Sequence, residues 1–352
     1  MIQRMKNSPS KLSGNVISGL GKGAQFTQLS WAKEQFIEKL GIDPYPGTLN
    51  ILLHAECEKT NWRDLPSYTL SADSAESCDA SCYPVFIAGQ YTGAIVVPLI
   101  DGYPEEQLEI IAPIQLREKL SLKDGDKIDL EFSHPLNATT VIFDLDGTLL
   151  DTIESFYILA KLTGDEFGFG MDRAHVYDLL NYGKSYWESS LPESLPNRQS
   201  TIDEMNKRAI ALWPDVMAEH ARVFADVSDT LNSLKKMGAT LGIVTGSGKA
   251  SVDMLYSAGV EDLVDAVITN TDVSKRKPDP EGMFKCLDQL GVAASDAMYV
   301  GDSSIDMQAT RAAGMTAVAV LSGAGNSAAL CEAGAHRIVQ NHSALINLFQ
   351  IK

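Results

Sequence analysis

The chain changes its grammar near residues 133–139. Upstream, short apolar runs (Thr48–Leu53, Val85–Ala88, Ala94–Ile100, Leu108–Ala112 and Lys127–Phe132) are broken by Gly, Pro and Asp. Strands this short, with turn residues between them, predict a compact β-rich domain. In one stretch, Leu29–Leu40, Trp31, Ala32, Phe36 and Leu40 recur with a helical period, and Gly41 ends it. Downstream of Ser133–Asn137 the order becomes strand, loop, helix, repeated. Val141–Phe143, Thr240–Val244, Ala266–Thr269, Ala297–Val300 and Thr316–Val320 are the apolar runs. That alternation predicts an α/β domain with a doubly wound parallel sheet. A long, mostly helical insertion, about residues 152–225, separates its first two strands. The length, 352 residues, suits two domains at roughly 150 residues each.

Charge narrows the partners. The net charge is −17, and both halves are acidic, which argues against nucleic acid and anionic lipid. Small anions stay open if a cation or a nest of backbone N–H groups offsets the charge. No apolar run reaches the roughly 18 residues of a membrane span, and Met1–Gly14 lacks the apolar core of a secretory signal. Cys57, Cys78, Cys82, Cys286 and Cys331 show no paired metal spacing and are expected as reduced thiols. A cytoplasmic protein is the expectation, with its oligomeric state left open.

The strongest chemical signal is Val141-Ile142-Phe143-Asp144-Leu145-Asp146-Gly147-Thr148. Two aspartates leave the carboxyl end of a buried strand, where ligands bind in open α/β sheets. Carboxylates this close repel unless a divalent cation joins them. Three more strand ends follow in order: Val244-Thr245-Gly246-Ser247, Lys275-Arg276-Lys277-Pro278, and Val300-Gly301-Asp302-Ser303-Ser304-Ile305-Asp306. Each is weak alone; together they converge on one crevice.

With those residues, 140–352 resembles the haloacid dehalogenase superfamily of phosphatases, in the branch with a helical cap after the first motif. The resemblance implies Asp144 as nucleophile, forming an aspartyl-phosphate, and Asp146 as general acid and base. It implies that Thr245 and Lys277 hold the transferring phosphoryl group. Mg²⁺ would sit on Asp144, Asp146 and Asp302, with Asp306 supporting the metal or Lys277. An acid at Asp146 fits hydrolysis, which must activate water, although phosphomutases share it. In the insertion, Phe156, Tyr157, Phe167, Phe169, Tyr182, Tyr186 and Trp187 can either stack on a planar ring or pack a small core. Lys184 and Arg173 can reach a phosphate or simply face solvent.

The first domain carries Gly19-Leu20-Gly21-Lys22-Gly23-Ala24 ahead of the expected helix, which is not a Walker A loop. In Pro46-Gly47-Thr48-Leu49-Asn50, alternation points the Thr48 and Asn50 oxygens to one side of a strand start. Two neutral oxygen ligands suit Mg²⁺ carried on nucleotide phosphates. Glu109-Ile110-Ile111-Ala112-Pro113-Ile114-Gln115-Leu116-Arg117 and Asp124-Gly125-Asp126 follow. With these elements in order, 14–133 resembles the archaeal CTP-dependent riboflavin kinases, a small cradle-loop β-barrel. The resemblance implies CTP contacts from Gly19, Leu20, Gly21, Lys22, Gly23 and Ala24 and from Ile114, Gln115, Leu116 and Arg117. It implies Mg²⁺ on Thr48 and Asn50, and flavin near Glu109 and Asp101, the latter standing where the family usually carries Thr. A linker is expected at 134–139.

Two motif sets on one chain predict a bifunctional flavin-pathway enzyme. One activity converts riboflavin to FMN with CTP; the other hydrolyses a phosphomonoester, either 5-amino-6-(5-phosphoribitylamino)uracil or FMN. The alternative is a sugar-phosphate phosphatase or phosphomutase whose first domain only senses flavin or nucleotide.

Overall fold

The structure, a computed structural model, describes residues 10–19, 23–58, 60–74, 77–132 and 138–348. Leu20, Gly21, Lys22 and positions 134–137 of the expected linker lie outside the described residues. The chain forms two compact units, divided between residues 136 and 137, and Ser327–Gln340 packs with the first of them. That return of the chain has no mark in the sequence pattern.

The first unit is all-antiparallel. Its elements are β1 (Lys11–Ile17), α1 (Ser30–Leu40), β2 (Leu49–Leu53), β3 (Tyr68–Leu70), β4 (Ala80–Ile87), β5 (Tyr91–Pro98), β6 (Gln107–Ile111) and β7 (Lys127–Phe132). The strand order is β3-β4-β5-β6-β2-β1-β7, and a further β4–β7 pairing closes six of them into a barrel. β3 extends the sheet outside the barrel, on β4. The sequence reading missed β1 and β3. β1 reads Lys-Leu-Ser-Gly-Asn-Val-Ile, with a glycine where its inward face meets a neighbour. A side chain there would lie 2.5 Å from the Leu52 carbonyl oxygen. β3 is three residues long, too short for alternation to register. α1 buries Ala32, Phe36 and Leu40 against Leu70, Cys82, Val96 and Ile111, and Gly41 ends it with φ 65°. The returning segment is bonded in place. Ser327 Oγ donates to the Gly41 carbonyl at 2.7 Å, Cys331 Sγ to the Thr92 carbonyl at 3.4 Å, and the His336 ring packs on Phe86.

The second unit starts with β8 (Thr140–Phe143) and β9 (Leu150–Asp151). The helical insertion follows as α2 (Ile153–Glu166), α3 (Arg173–Asn181), α4 (Tyr186–Ser190) and α5 (Arg198–His220), and the chain returns on β10 (Arg222–Val223). Then come α6 (Val227–Lys236), β11 (Thr240–Val244), α7 (Lys249–Tyr256), β12 (Ala266–Ile268), α8 (Glu281–Leu290), β13 (Ala297–Gly301), α9 (Ser304–Ala312) and β14 (Thr316–Val320). The strands lie in the order β12-β11-β8-β13-β14, all parallel. All four residues of β8 are buried, as expected for a strand covered on both faces. Strand order reverses around β8, so its carboxyl end opens onto the crevice where such sheets bind ligands. The insertion packs its own core from Ala160, Met171, Val176, Trp187, Ile202 and Met205. Its two connections pair as an antiparallel ribbon, Leu150 with Val223 and Asp151 with Arg222. Among the described residues no helix is long and apolar enough to cross a membrane.

Candidate active site

Asp144 is the first residue past β8, and its N–H donates to the Val300 carbonyl at 2.8 Å. That bond holds its carboxylate over the ends of β8 and β13. The Lys277 ammonium donates to Asp144 Oδ1 at 2.7 Å and to Asp306 Oδ1 at 2.6 Å, and lies 3.1 Å from the Tyr299 hydroxyl. Tyr299 in turn donates to the Val244 carbonyl at 2.9 Å. Burial alone would favour a neutral amine at Lys277, but Asp144 and Asp306 together hold it charged. Asp306 uses both oxygens: Oδ2 accepts from the Ser303 N–H and hydroxyl, capping α9.

Asp302 sits in a cradle that tolerates no extra atoms. Its Oδ1 accepts from Thr148 Oγ1 at 3.1 Å and its Oδ2 from the Ala324 N–H at 2.8 Å. A Cβ on Gly323 would lie 1.9 Å from Oδ2, and one on Gly147, where φ is +77°, 2.6 Å. Burial, with Asp306's charge, pushes Asp302 up to about 7. Burial likewise drives Asp144 upward, opposed by Lys277. Carboxylate oxygens of Asp144, Asp302 and Asp306 lie within 4.8 Å of one another. Three buried acids share one ammonium, and the imbalance calls for a second cation. A hard, all-oxygen donor set fits Mg²⁺.

Asp146 is half-buried and faces the crevice with its Oδ1 unpartnered. Burial raises its carboxyl, opposed by the hydroxyls of Ser247, Thr152 and Thr245. Thr245, at the end of β11, accepts from the Ser247 N–H at 3.0 Å. A cavity of about 530 Å³ stands over these groups, walled from the insertion by Phe156, Leu180, Lys184, Tyr186 and Asn206. The other aromatic side chains divide. Trp187 belongs to the insertion's core with Phe167 and Phe169 packed against it, while Tyr182 is exposed. Arg173 is tied to Glu154 at 2.6 Å and lies over Tyr157, away from the cavity wall. Asn206 and Tyr299 escaped the sequence reading, since Asn206 lies in no recognisable pattern and Tyr299 reads only as part of the apolar Ala297–Val300 run.

In the barrel, Asn50 Nδ2 lies 3.3 Å from Thr48 Oγ1, and Gln107 Nε2 donates to Asn50 Oδ1 at 3.2 Å. Here the Asn50 amide nitrogen stands beside the Thr48 hydroxyl and the Asn50 oxygen is taken up by Gln107, so both oxygens would face a phosphate-borne cation only with the amide turned over. Gly19 and Gly23 press on this pair: a Cβ on either would lie 2.3 Å from Asn50 Nδ2 or Thr48 Oγ1. Ala24 follows in a single helical turn, Gly23–Phe26. A small cavity of about 140 Å³ opens beside Thr48, lined by Tyr45, Gly47, Ile114, Gln115, Leu116 and Arg117. Arg117 is steadied by the Ile17 carbonyl at 2.7 Å and Asp124 at 2.9 Å. Glu109 pairs across the strands with Asn50 and accepts from the Tyr103 hydroxyl at 3.1 Å. Burial and Glu109's charge push the Tyr103 phenol upward. Asp101 is exposed in the β5–β6 loop.

Known proteins divide the chain in the same way. The family model of haloacid dehalogenase-like hydrolases matches residues 141–320. The model of the CTP-dependent riboflavin kinase domain, described as domain of unknown function DUF120, matches 16–132. A riboflavin kinase of Methanoculleus marisnigri is 42% identical over 130 residues, covering 35% of this chain and 57% of that protein. One from Saccharolobus solfataricus is 37% identical over 127 residues, covering 34% of this chain and 73% of that protein. The chain thus spans little more than half of the first of these relatives. A haloacid dehalogenase-like hydrolase from Bacteroides fragilis covers 59% of this chain and 99% of its own, at 23% identity and a TM-score of 0.53. A hydrolase from Pseudomonas syringae covers 59% and 96%, at 22% identity and 0.51. At these identities the likeness is one of fold.

Proposed function

We propose, for a chain that belongs to the haloacid dehalogenase-like hydrolases in its second part and to the CTP-dependent riboflavin kinases in its first, a bifunctional flavin-pathway enzyme. The observation that carries the phosphatase half is Lys277 bonded to both Asp144 and Asp306 beside the buried Asp302.

When bound, Mg²⁺ would be held by Asp144, Asp302 and the Asp146 main-chain carbonyl, neutralising phosphate charge. Lys277 and Thr245 orient the phosphoryl oxygens. An Asp144 oxygen attacks phosphorus as the bond to the leaving oxygen breaks, and Asp146 gives that oxygen its proton. Asp146 then takes a proton from water, which attacks the aspartyl-phosphate, releasing inorganic phosphate and restoring Asp144. A cavity of about 530 Å³ is in the range that holds drug-sized ligands, which supports a leaving group larger than a two- or three-carbon acid. We place 5-amino-6-(5-phosphoribitylamino)uracil ahead of FMN, because hydrolysing FMN on the chain that makes it would waste CTP.

In the barrel, Thr48 and Asn50 would hold Mg²⁺ on the CTP phosphates, with Gly19–Ala24 and Ile114–Arg117 around the nucleotide. Glu109 would touch the flavin. Work in the cytoplasm, on small molecules and away from nucleic acid, suits the acidic surface.

Two assays test the halves. The protein with riboflavin, Mg²⁺ and CTP should yield FMN; no FMN with either CTP or ATP sinks the kinase. Measuring kcat/KM for FMN against the ribitylamino-uracil phosphate decides the second substrate. Preference for small sugar phosphates, or their isomerisation, would favour the phosphatase or mutase alternative.

A further inference from the structure

His342 lies outside every sequence motif, yet it is 1% exposed and both ring nitrogens are engaged. Nδ1 lies 2.8 Å from Asp226 Oδ1, and Nε2 is within hydrogen-bond reach of the main-chain carbonyl of Thr148. Phe224 lies against the ring at 5.3 Å, and the Ser343 N–H adds a bond to Asp226 Oδ2 at 3.2 Å.

The two anchors stand at the two roots of the helical insertion. Thr148 comes just before β9, on which the chain enters it; Asp226 comes just after β10, on which it returns. The Phe224 N–H donates to the Leu149 carbonyl at 3.2 Å, so the ribbon continues down to the level of His342. Thr148 has a second task, because its hydroxyl donates to Asp302 Oδ1. One imidazole therefore touches both hinge roots and stands one residue away from a cation-facing acid.

We propose that His342 is a positioning residue for this centre: by tying Thr148 to Asp226, it fixes the base of the hinge ribbon and the hydroxyl that orients Asp302. The inference rests on the reading of the centre as a Mg²⁺-dependent phosphatase. It acts on cation affinity and on how the insertion meets substrate, and leaves the attacking Asp144 in place. Partners that orient a metal ligand are commonly worth about tenfold or more in affinity.

The test is a Mn²⁺ titration followed by electron paramagnetic resonance on the full chain, without substrate, for wild type, His342→Phe, His342→Gln and Asp226→Asn. His342→Phe should weaken Mn²⁺ binding about tenfold, and should raise KM at saturating Mg²⁺ more than it lowers kcat. His342→Gln should fall between. Asp226→Asn keeps an acceptor oxygen and should stay near wild type. Circular dichroism checks folding; if the Phe variant does not fold, the Gln variant decides. Unchanged Mn²⁺ affinity and KM in a folded His342 variant overturns the proposal. A wild type that takes up no Mn²⁺ refutes the metal reading instead, whatever the variants do.

Discussion

Lys277 is shared by two buried carboxylates, with only 13% of its own side chain exposed. Removing one member of a buried charge set strands the others, at a cost of about 3–5 kcal/mol. Lys277→Met should therefore lower the stability of the second unit by roughly that amount in chemical denaturation. Saturating Mg²⁺ should return part of it, since a ligand bound only to the native state stabilises by mass action. A loss unaffected by Mg²⁺ would mean that no cation shares the site with Lys277. Gly323 gives a second residue-scale prediction. Gly323→Ala would drive a methyl into Asp302, so the Mg²⁺ concentration giving half-maximal hydrolysis should rise about tenfold or more. These positions differ in legibility. Asp144, Asp146 and Asp302 stand just past strand ends and Lys277 stands before a proline in the loop after β12, where local pattern marks them. Tyr299 reads as one more apolar strand residue, and its contact with Lys277 exists only once two strands and a loop have met. His342 has no local signal at all.

At the scale of elements, the loop carrying Lys277 is held by Glu281, the first residue of α8. Its carboxylate accepts from the N–H groups of Ser274 and Lys275 at 3.1 and 2.8 Å and from the Ser274 hydroxyl at 2.9 Å. Lys285 and these donors hold Glu281 at about 2, below its ordinary 4.5. A depressed acid stabilises the fold above its unfolded value, so the contribution is complete above about 4.5 and fades as pH falls toward 2. Amide exchange at Ser274 and Lys275, corrected for intrinsic rates, should quicken below about pH 4.5. In Glu281→Gln it should be fast throughout, with no such acid onset. Element legibility followed length and alternation. β8, β11, β13 and β14 are continuous apolar runs and α1 keeps its period up to Gly41, so the sequence reads them closely. β1 hides behind small polar residues, and β3 ends before a pattern can form.

At the scale of the molecule, two motif sets imply two chemistries that fail separately. Asp144→Asn should lower phosphomonoester hydrolysis at least about 10³-fold, as expected for loss of a covalent nucleophile, and leave CTP-dependent FMN formation intact. Asn50→Ala should do the reverse. A variant that abolishes both would show that the halves do not act independently. The division into two domains was legible because each half carries its own ordered motifs, whereas the compact units do not follow the same cut. Ser327–Gln340 reaches the barrel through hydrogen bonds from Ser327 and Cys331 and the His336 ring, side chains that no pattern distinguishes.

That returning segment has a consequence for how the chain is made. A ribosome releases β7 of the barrel long before it reaches residue 340, a delay on the order of ten seconds or more at ordinary elongation rates. Until then the barrel emerges without the contacts that Ser327, Cys331 and His336 make to the Gly41 and Thr92 carbonyls and the Phe86 ring. Nascent chains stalled at residue 200 should expose that side to protease, and chains released whole should protect it. Messages truncated after the barrel would then yield a first half without those three contacts.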